Sequence, residues 1–308
     1  MLILAGLAVG FLAAIIGNGL VAEGESQPPA TAPAGDEAAS QPAEGAYPSR
    51  KLLDACDTAA EKLKKRLDGT FHVVVSPPFV IAGNFAERNV RAYADRTVVA
   101  AAYAMWASLF DRKPTDAITI LLLKDDKTYR AWAKSLFDDE EVAHYGYFRP
   151  WDRTMVMNIS TGGGTLVHEL THALIVYDFP DVPTWLNEGL GSLHEQCGIK
   201  DDRIVGHVNW RLPGLRKAIA AGTLRPLKEL VTKRDFRGRL RGLNYAQARY
   251  FVMYMQEKGV LLKFYRHFRE HHDGDGADVN AIETIFGRDI DDVDKLFVAW
   301  VKTLRFRR

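Results

Sequence analysis

His168-Glu169-Leu170-Thr171-His172 is the stretch that decides how this chain is read. Two histidines four positions apart on a helix project from one face. Their imidazoles can then hold one metal ion together. The glutamate directly after the first histidine can lean over that ion and take a proton from its water. The reading requires the run to be helical, and its flanks support that. Upstream, Thr154-Met155-Val156-Met157-Asn158-Ile159-Ser160 has the β-branched and apolar content of a strand. Gly162-Gly163-Gly164 makes a turn, and Thr165 is a suitable helix N-cap. A helix is expected over 166–177, with Leu166, Leu170, Ala173 and Leu174 as its buried stripe. Phe179-Pro180 and Val182-Pro183 end it. A second helix begins at Pro183 or Thr184 and carries Trp185-Leu186-Asn187-Glu188-Gly189-Leu190.

A catalytic zinc ion takes three protein ligands and keeps one position for water. His168 and His172 leave one ligand to find. Glu188 is the candidate, because a short Pro-containing turn and a returning helix would bring its carboxylate back to the histidines. The competing role is a solvated position on the second helix, but the apolar residues around Glu188 make that costly. Glu195 and His194, further along the same helix, are the alternatives as ligand or outer partner.

These segments together resemble the gluzincin branch of the zincin metallopeptidases and, more closely, the bacterial peptidase MA-like domains. The resemblance spans about residues 71–268 and rests chiefly on 168–173 and 185–190. It implies a zincin-like α+β fold: an N-terminal mixed sheet with the active-site helix, then a helical C-terminal lobe. It implies one Zn2+ per chain held by His168, His172 and Glu188, with Glu169 as general base. It also matches the strand at 154–160 to the sheet edge that pairs with an extended peptide substrate. Two departures stand out. The His-to-Glu spacing is slightly shorter than in the aminopeptidase group. Where thermolysin-like enzymes place an acidic residue four positions after the third ligand, this chain has Ser192, which leaves the histidine's outer support unassigned. In several gluzincins a tyrosine or histidine of the helical part bonds the developing oxyanion. Tyr245, in Asn244-Tyr245-Ala246-Gln247, is the first candidate, Tyr250 the second and His207 the third. Packing on a helix face is the competing role for the tyrosines.

The 308 residues, 47% hydrophobic and 26% charged, have ordinary globular composition. The formal net charge of +1 gives no general pull toward nucleic acid, and no nucleic-acid motif is present. Charge is uneven, however: residues 211–241 hold ten Lys or Arg against Glu229 and Asp235, read here as a solvated helix face. Cys56 and Cys197 allow one disulfide or two separate thiols and exclude a cysteine zinc site. Residues 1–22 are apolar and uncharged, as in a signal peptide or an N-terminal membrane anchor, which points to an exported protein. Residues 23–48, rich in Ala, Pro, Glu and Gly, read as a flexible linker. The folded part is then 49–308, with an α+β lobe to about 198, a helical lobe over 199–308 and a cleft between them.

Strands are expected at 71–75 and 118–123, and a hairpin from 145–148 into the strand at 154. Helices are expected at 51–67, 85–110 and 127–136, with Asp138 to Glu141 as a solvated turn. Beyond the motif, helices are expected at 210–221, 227–232, 245–257, 261–270, 279–286 and 293–304. The functional expectation is a zinc-dependent peptidase acting on a peptide or protein, without a nucleic-acid partner. The alternatives are a non-catalytic zincin-fold domain that binds peptides or envelope components, and a zinc hydrolase of another substrate. Oligomeric state is open.

Overall fold

The computed structural model describes residues 47–140, 142–143 and 145–306. The apolar segment 1–22 and the linker up to residue 46 lie outside these. Tyr47, assigned to the linker by sequence, packs its ring edge-on against Trp106 and so belongs to the folded part.

Helix α1 (Arg50–Arg66) is capped by Ser49, whose hydroxyl accepts from the Leu52 amide. Strands β1 (His72–Ser76) and β2 (Phe79–Gly83) follow as an antiparallel pair. β2 has no counterpart among the sequence expectations. The long helix expected at 85–110 is one helical run of α2 (Glu87–Tyr93), a π-helical stretch (Ala94–Val99) and α3 (Ala100–Ser108). Next come β3 (Ile118–Leu123), α4 (Asp126–Phe137), β4 (Gly146–Arg149) and β5 (Thr154–Asn158). The strand order is β1-β2-β3-β5-β4. β2, β3 and β5 are parallel, whereas β1 and β4 run antiparallel to their neighbours. This corrects the edge assignment: the strand at 154 lies inside the sheet, and the edge is β4, the outer arm of the expected hairpin.

Period-2 alternation divides the sheet's side chains between two cores. Phe79, Ile81, Ile120, Leu122, Met155 and Met157 face the core shared with α3 and the motif helix. Val80, Ala82, Leu121, Leu123 and Val156 face Leu52, Cys56 and Ala60 of α1 and Tyr129 of α4. A sheet covered on both faces explains why β3 is an unbroken apolar run. Asp139, expected in a solvated turn, instead accepts from Tyr147 and Arg149 of β4 and pins the edge strand.

The motif helix is α5 (Gly163–Asp178), which lies against β4 and β5. Helix α6 (Thr184–His194) returns beside it. A hairpin of β6 (Cys197–Lys200) and β7 (Arg203–Gly206) follows, where no strand was expected from sequence. The remainder is helical: α7 (Leu212–Ala220), α8 (Leu227–Thr232), α9 (Arg241–Glu257), α10 (Leu261–Glu270), α11 (Ala277–Phe286) and α12 (Ile290–Thr303). One hydrophobic core runs from the sheet through α5 and α6 to Val301 of α12, so the two expected lobes share their interior. Cys56 and Cys197 are separate free thiols. Among the described residues no helix is long and apolar enough to cross a membrane.

Both ends of α5 are fixed. At its C-terminus Asp178 is fully buried. It accepts from the amides of Asp111 and Arg112 at 2.9 and 2.6 Å, from the Tyr265 hydroxyl at 2.8 Å and from Arg269 at 2.7 Å. A buried carboxylate satisfied four times ties the helix to α10 and the chain leaving α3. Removing one charged partner of such a group typically costs about 3–5 kcal/mol.

Candidate metal centre

At its N-terminus α5 begins one turn earlier than a Thr165 cap would place it. Gly162 is the cap residue, with φ +101°, a conformation that favours glycine. Gly164 follows because the Glu195 carbonyl passes where a Cβ would stand, 2.3 Å from it. This approach brings the C-terminal end of α6 against the start of α5. Leu166, Leu170, Ala173 and Leu174 are buried as the stripe required, which turns His168 and His172 toward α6.

The segment around Glu188 is explained residue by residue. Trp185 anchors α6 among Phe251, Phe264 and Phe268, and its indole N–H donates to Asp278 at 2.5 Å. Asn187 Oδ1 lies 2.7 Å from His172 Nδ1. Gly189 allows α9 to approach, since a Cβ there would stand 2.9 Å from Val252 and 3.2 Å from the Ala248 carbonyl. Gly191 faces the opposite way, where a Cβ would stand 3.1 Å from His168 Nε2 and 3.1 Å from His172 Cε1. Arg249 of α9 is fully buried and donates to the carbonyls of Ser192 and His207, satisfying the open end of α6.

His168 Nε2 and His172 Nε2 are 3.0 Å apart, and each is 3.5 Å from Glu188 Oε2. Ligand atoms about 2.0–2.1 Å from a tetrahedral zinc ion lie about 3.3 Å from one another. The donor set therefore has the spacing of a metal site. Glu188 Oε2 is also buried without a hydrogen-bond partner among the described residues, although the other oxygen, Oε1, accepts from Arg237 at 2.7 Å. An orphaned oxygen aimed at two imidazole nitrogens is explained by a shared cation.

Each residue of the donor set has an outer partner. His172 has Asn187 and Glu188 has Arg237. His168 Nδ1 lies 3.3 Å from Glu195 Oε1, at ion-pair distance though not aligned as a hydrogen bond. Glu195 is held by Arg211 through both oxygens, at 2.9 and 2.6 Å. The carboxylate missing at Ser192 is thus supplied one turn further on, by a residue that sequence offered as an alternative ligand. His194, the other alternative, is buried and 2.8 Å from the Thr171 hydroxyl. Burial, with His168 and Arg249 nearby, pushes His194 down to about 3 and keeps it neutral.

Without a metal, the cluster is balanced by charge. Burial disfavours a charged His168, but Glu188 and Glu195 outweigh that and hold the imidazole up to about 10. Burial likewise disfavours the Glu188 carboxylate, but both histidines hold it well below the usual range. Glu195 is brought down to about 2 by His168 and Arg211 against the same burial penalty.

Glu169 is half-buried on α5, and among the described residues its carboxylate makes no hydrogen bond or ion pair. Its charge acts on His168, so it lies beside the cluster without belonging to the donor set. Tyr245 is also beside the cluster. Burial raises its phenol, the nearby Glu188 charge raises it further and Arg237 opposes this; its ring lies 5.3 Å from that of Phe236, the neighbour of Arg237. Tyr250 is fully buried and its hydroxyl donates to the Asn209 carbonyl at 3.1 Å, which makes it a packing residue. His207 is exposed and rests against Gly198 of the hairpin.

Sequence reading missed Arg237, Arg211, Asn187, Gly191 and Arg249. The basic run that holds the first two is not a plain solvated face: Arg211, Arg225 and Arg237 pair with Glu195, Asp235 and Glu188. Asn187 alone carried a signal, being next to the proposed ligand.

Residues 154–303 match the sequence model of the Peptidase MA superfamily, and the chain carries a domain of that superfamily there. The match begins at β5 and takes in the entire donor set. The α+β architecture, a mixed sheet followed by helices, is zincin-like. No curated protein matches the chain in sequence.

Proposed function

We propose that the Peptidase MA superfamily domain of this chain is a zinc-dependent peptidase, with His168, His172 and Glu188 as metal ligands and Glu169 as general base. The observation that carries this reading is the orphaned Glu188 oxygen at 3.5 Å from two histidine nitrogens that are themselves 3.0 Å apart. Two imidazoles and one carboxylate suit zinc and leave room for a water molecule. Bound zinc would lower the pKa of that water and polarise the substrate carbonyl.

The chain's own residues do the rest. Glu169 has an unengaged carboxylate, so it is available to take a proton from water and pass it to the leaving amine. Asn187 and Glu195 fix the orientation of the two imidazoles. Tyr245 holds a phenol beside Glu188, where it can donate to an oxygen that gains negative charge. Burial keeps that phenol protonated at neutral pH, as a donor must be. Among the described residues β4 pairs on one side only, with β5, and it lies against α5. Its outer edge is placed to add an extended peptide as a further strand.

The test is digestion of a mixed peptide library by the purified chain, before and after metal removal. Cleavage that stops with a chelator and returns with zinc supports the reading. A zinc-loaded protein that cleaves no peptide contradicts it and favours the binding-domain alternative.

A further inference from the structure

We propose that Arg237 and Arg241 form a subsite beside the metal cluster that binds a carboxylate of the substrate. The inference rests on the peptidase reading and names the substrate chemistry it selects. Arg237 is the first observation. Its guanidinium touches buried Glu188 at 2.7 Å, yet its side chain is 69% exposed. It therefore bridges the cluster and the solvent, with N–H donors to spare in a rigid fork.

Arg241 is the second. It opens α9 four residues before Tyr245, so the two share a helix face one turn apart. The Arg241 amide donates to the Gly238 carbonyl at 2.9 Å, and the Tyr245 ring lies 5.3 Å from that of Phe236, so both residues sit against the turn that carries Arg237. Arg241 is exposed, and its side chain makes no ion pair or hydrogen bond among the described residues. Arg234 and Arg239 of the same loop are also exposed and, among the described residues, unpaired. The carboxylates nearby are already engaged: Asp235 with Arg225, Glu195 with Arg211, and Glu188 with the histidines. A chain of net charge +1 thus concentrates exposed guanidinium groups on the segment 234–241, whose Arg237 reaches the metal cluster. Arginine pairs are suited to planar carboxylates. The carboxylate would come from an acidic side chain near the scissile bond or from the substrate's C-terminus.

Binding to the zinc-loaded full chain carrying Glu169→Gln separates recognition from turnover. Four fluorescent peptides of equal length serve as probes: an amidated one with an internal Glu, the same with Gln, the same with Lys, and the Gln peptide with a free C-terminus. Fluorescence anisotropy should show at least one carboxylate peptide binding about tenfold or more tightly than the neutral one. The margin should shrink as salt rises. Which of the two binds tightly identifies the source. Adding Arg241→Glu should abolish or invert the preference while zinc content stays unchanged, and Arg241→Gln, the milder change, should weaken it. Equal affinity for all four peptides, or a preference that survives Arg241→Glu, overturns the subsite. So does tight, Arg241-dependent binding of phosphatidylserine vesicles or single-stranded RNA without a preference among the peptides. If neutral peptides bind and wild type cleaves them, only the subsite fails. If no peptide is bound or cleaved, the peptidase reading fails with it.

Discussion

Gly191→Ala separates metal binding from folding. The added methyl would stand 3.1 Å from His168 Nε2, 3.1 Å from His172 Cε1 and 3.2 Å from His168 Cδ2. Non-bonded carbon atoms prefer about 3.5–4.0 Å, so the rings must retreat by several tenths of an ångström. Metal–ligand distances tolerate only about 0.2 Å. The retreat thus moves two ligands out of range at once. We expect zinc affinity to fall about 10- to 100-fold, the loss typical when outer support of a ligand is removed, or about 1.4–2.7 kcal/mol. Folding answers to a different sum. Ala gains about 1 kcal/mol over Gly in a helix interior, which offsets much of the strain on the rings. The metal-free variant should therefore melt within a few degrees of wild type. A zinc titration against a chromophoric chelator and calorimetry of the metal-free protein give the two numbers. Wild-type zinc affinity in Gly191→Ala would refute the placement of the metal. A collapse of metal-free stability would show that the rings are simply packed there.

Glu188→Gln should lose most zinc affinity, since the orphaned oxygen then belongs to a neutral amide; undiminished zinc content by elemental analysis would move the third ligand elsewhere. In the metal-free protein His168 is held up to about 10 from 6.5, so its stabilisation is complete below about pH 6.5 and is lost as pH rises toward 10. Glu195, held down to about 2 from 4.5, contributes fully above about pH 4.5 and loses that contribution as pH falls toward 2. Scans of Tm against pH should then show the chelated protein most stable between these limits, and the gap to the zinc-loaded protein should widen from pH 6.5 to 9; a gap that narrows would contradict the assigned proton. Tyr245→Phe should lower kcat by about 100-fold or more, the usual cost of an oxyanion donor, with zinc content unchanged; wild-type kinetics would return Tyr245 to packing.

Much of this was legible locally. The histidine pair, Glu169 and the returning helix with Glu188 depend on spacing within two adjacent helices, and such periodicity survives in sequence. What escaped depends on distant partners. The run at 154–158 reads correctly as a strand, and its hairpin with 145–148 was expected; that β3 pairs on its other side, which makes it an inner strand, depends on a partner distant in sequence. β2 is only five residues long and directly follows Pro77-Pro78, too short to stand out. The β6–β7 hairpin turns on Asp201 and Asp202, both with positive φ. The usual signal for such a turn is Asn-Gly or Asp-Gly, so Asp-Asp did not mark a hairpin. Arg237 and Glu188 are 49 positions apart and meet because α6 packs on α9. That contact was invisible in a run of cations resembling a solvated face.

The most direct test of the central claim is Glu169→Gln. The substitution keeps size and polarity but removes the proton acceptor. Zinc content and Tm should match wild type, because Glu169 is outside the donor set and forms no ion pair among the described residues. Hydrolysis of a peptide that wild type cleaves should fall by about 100-fold or more, as for loss of a general base. Full activity in the zinc-loaded variant would contradict the mechanism, and loss of zinc would make Glu169 part of the metal's coordination or support instead.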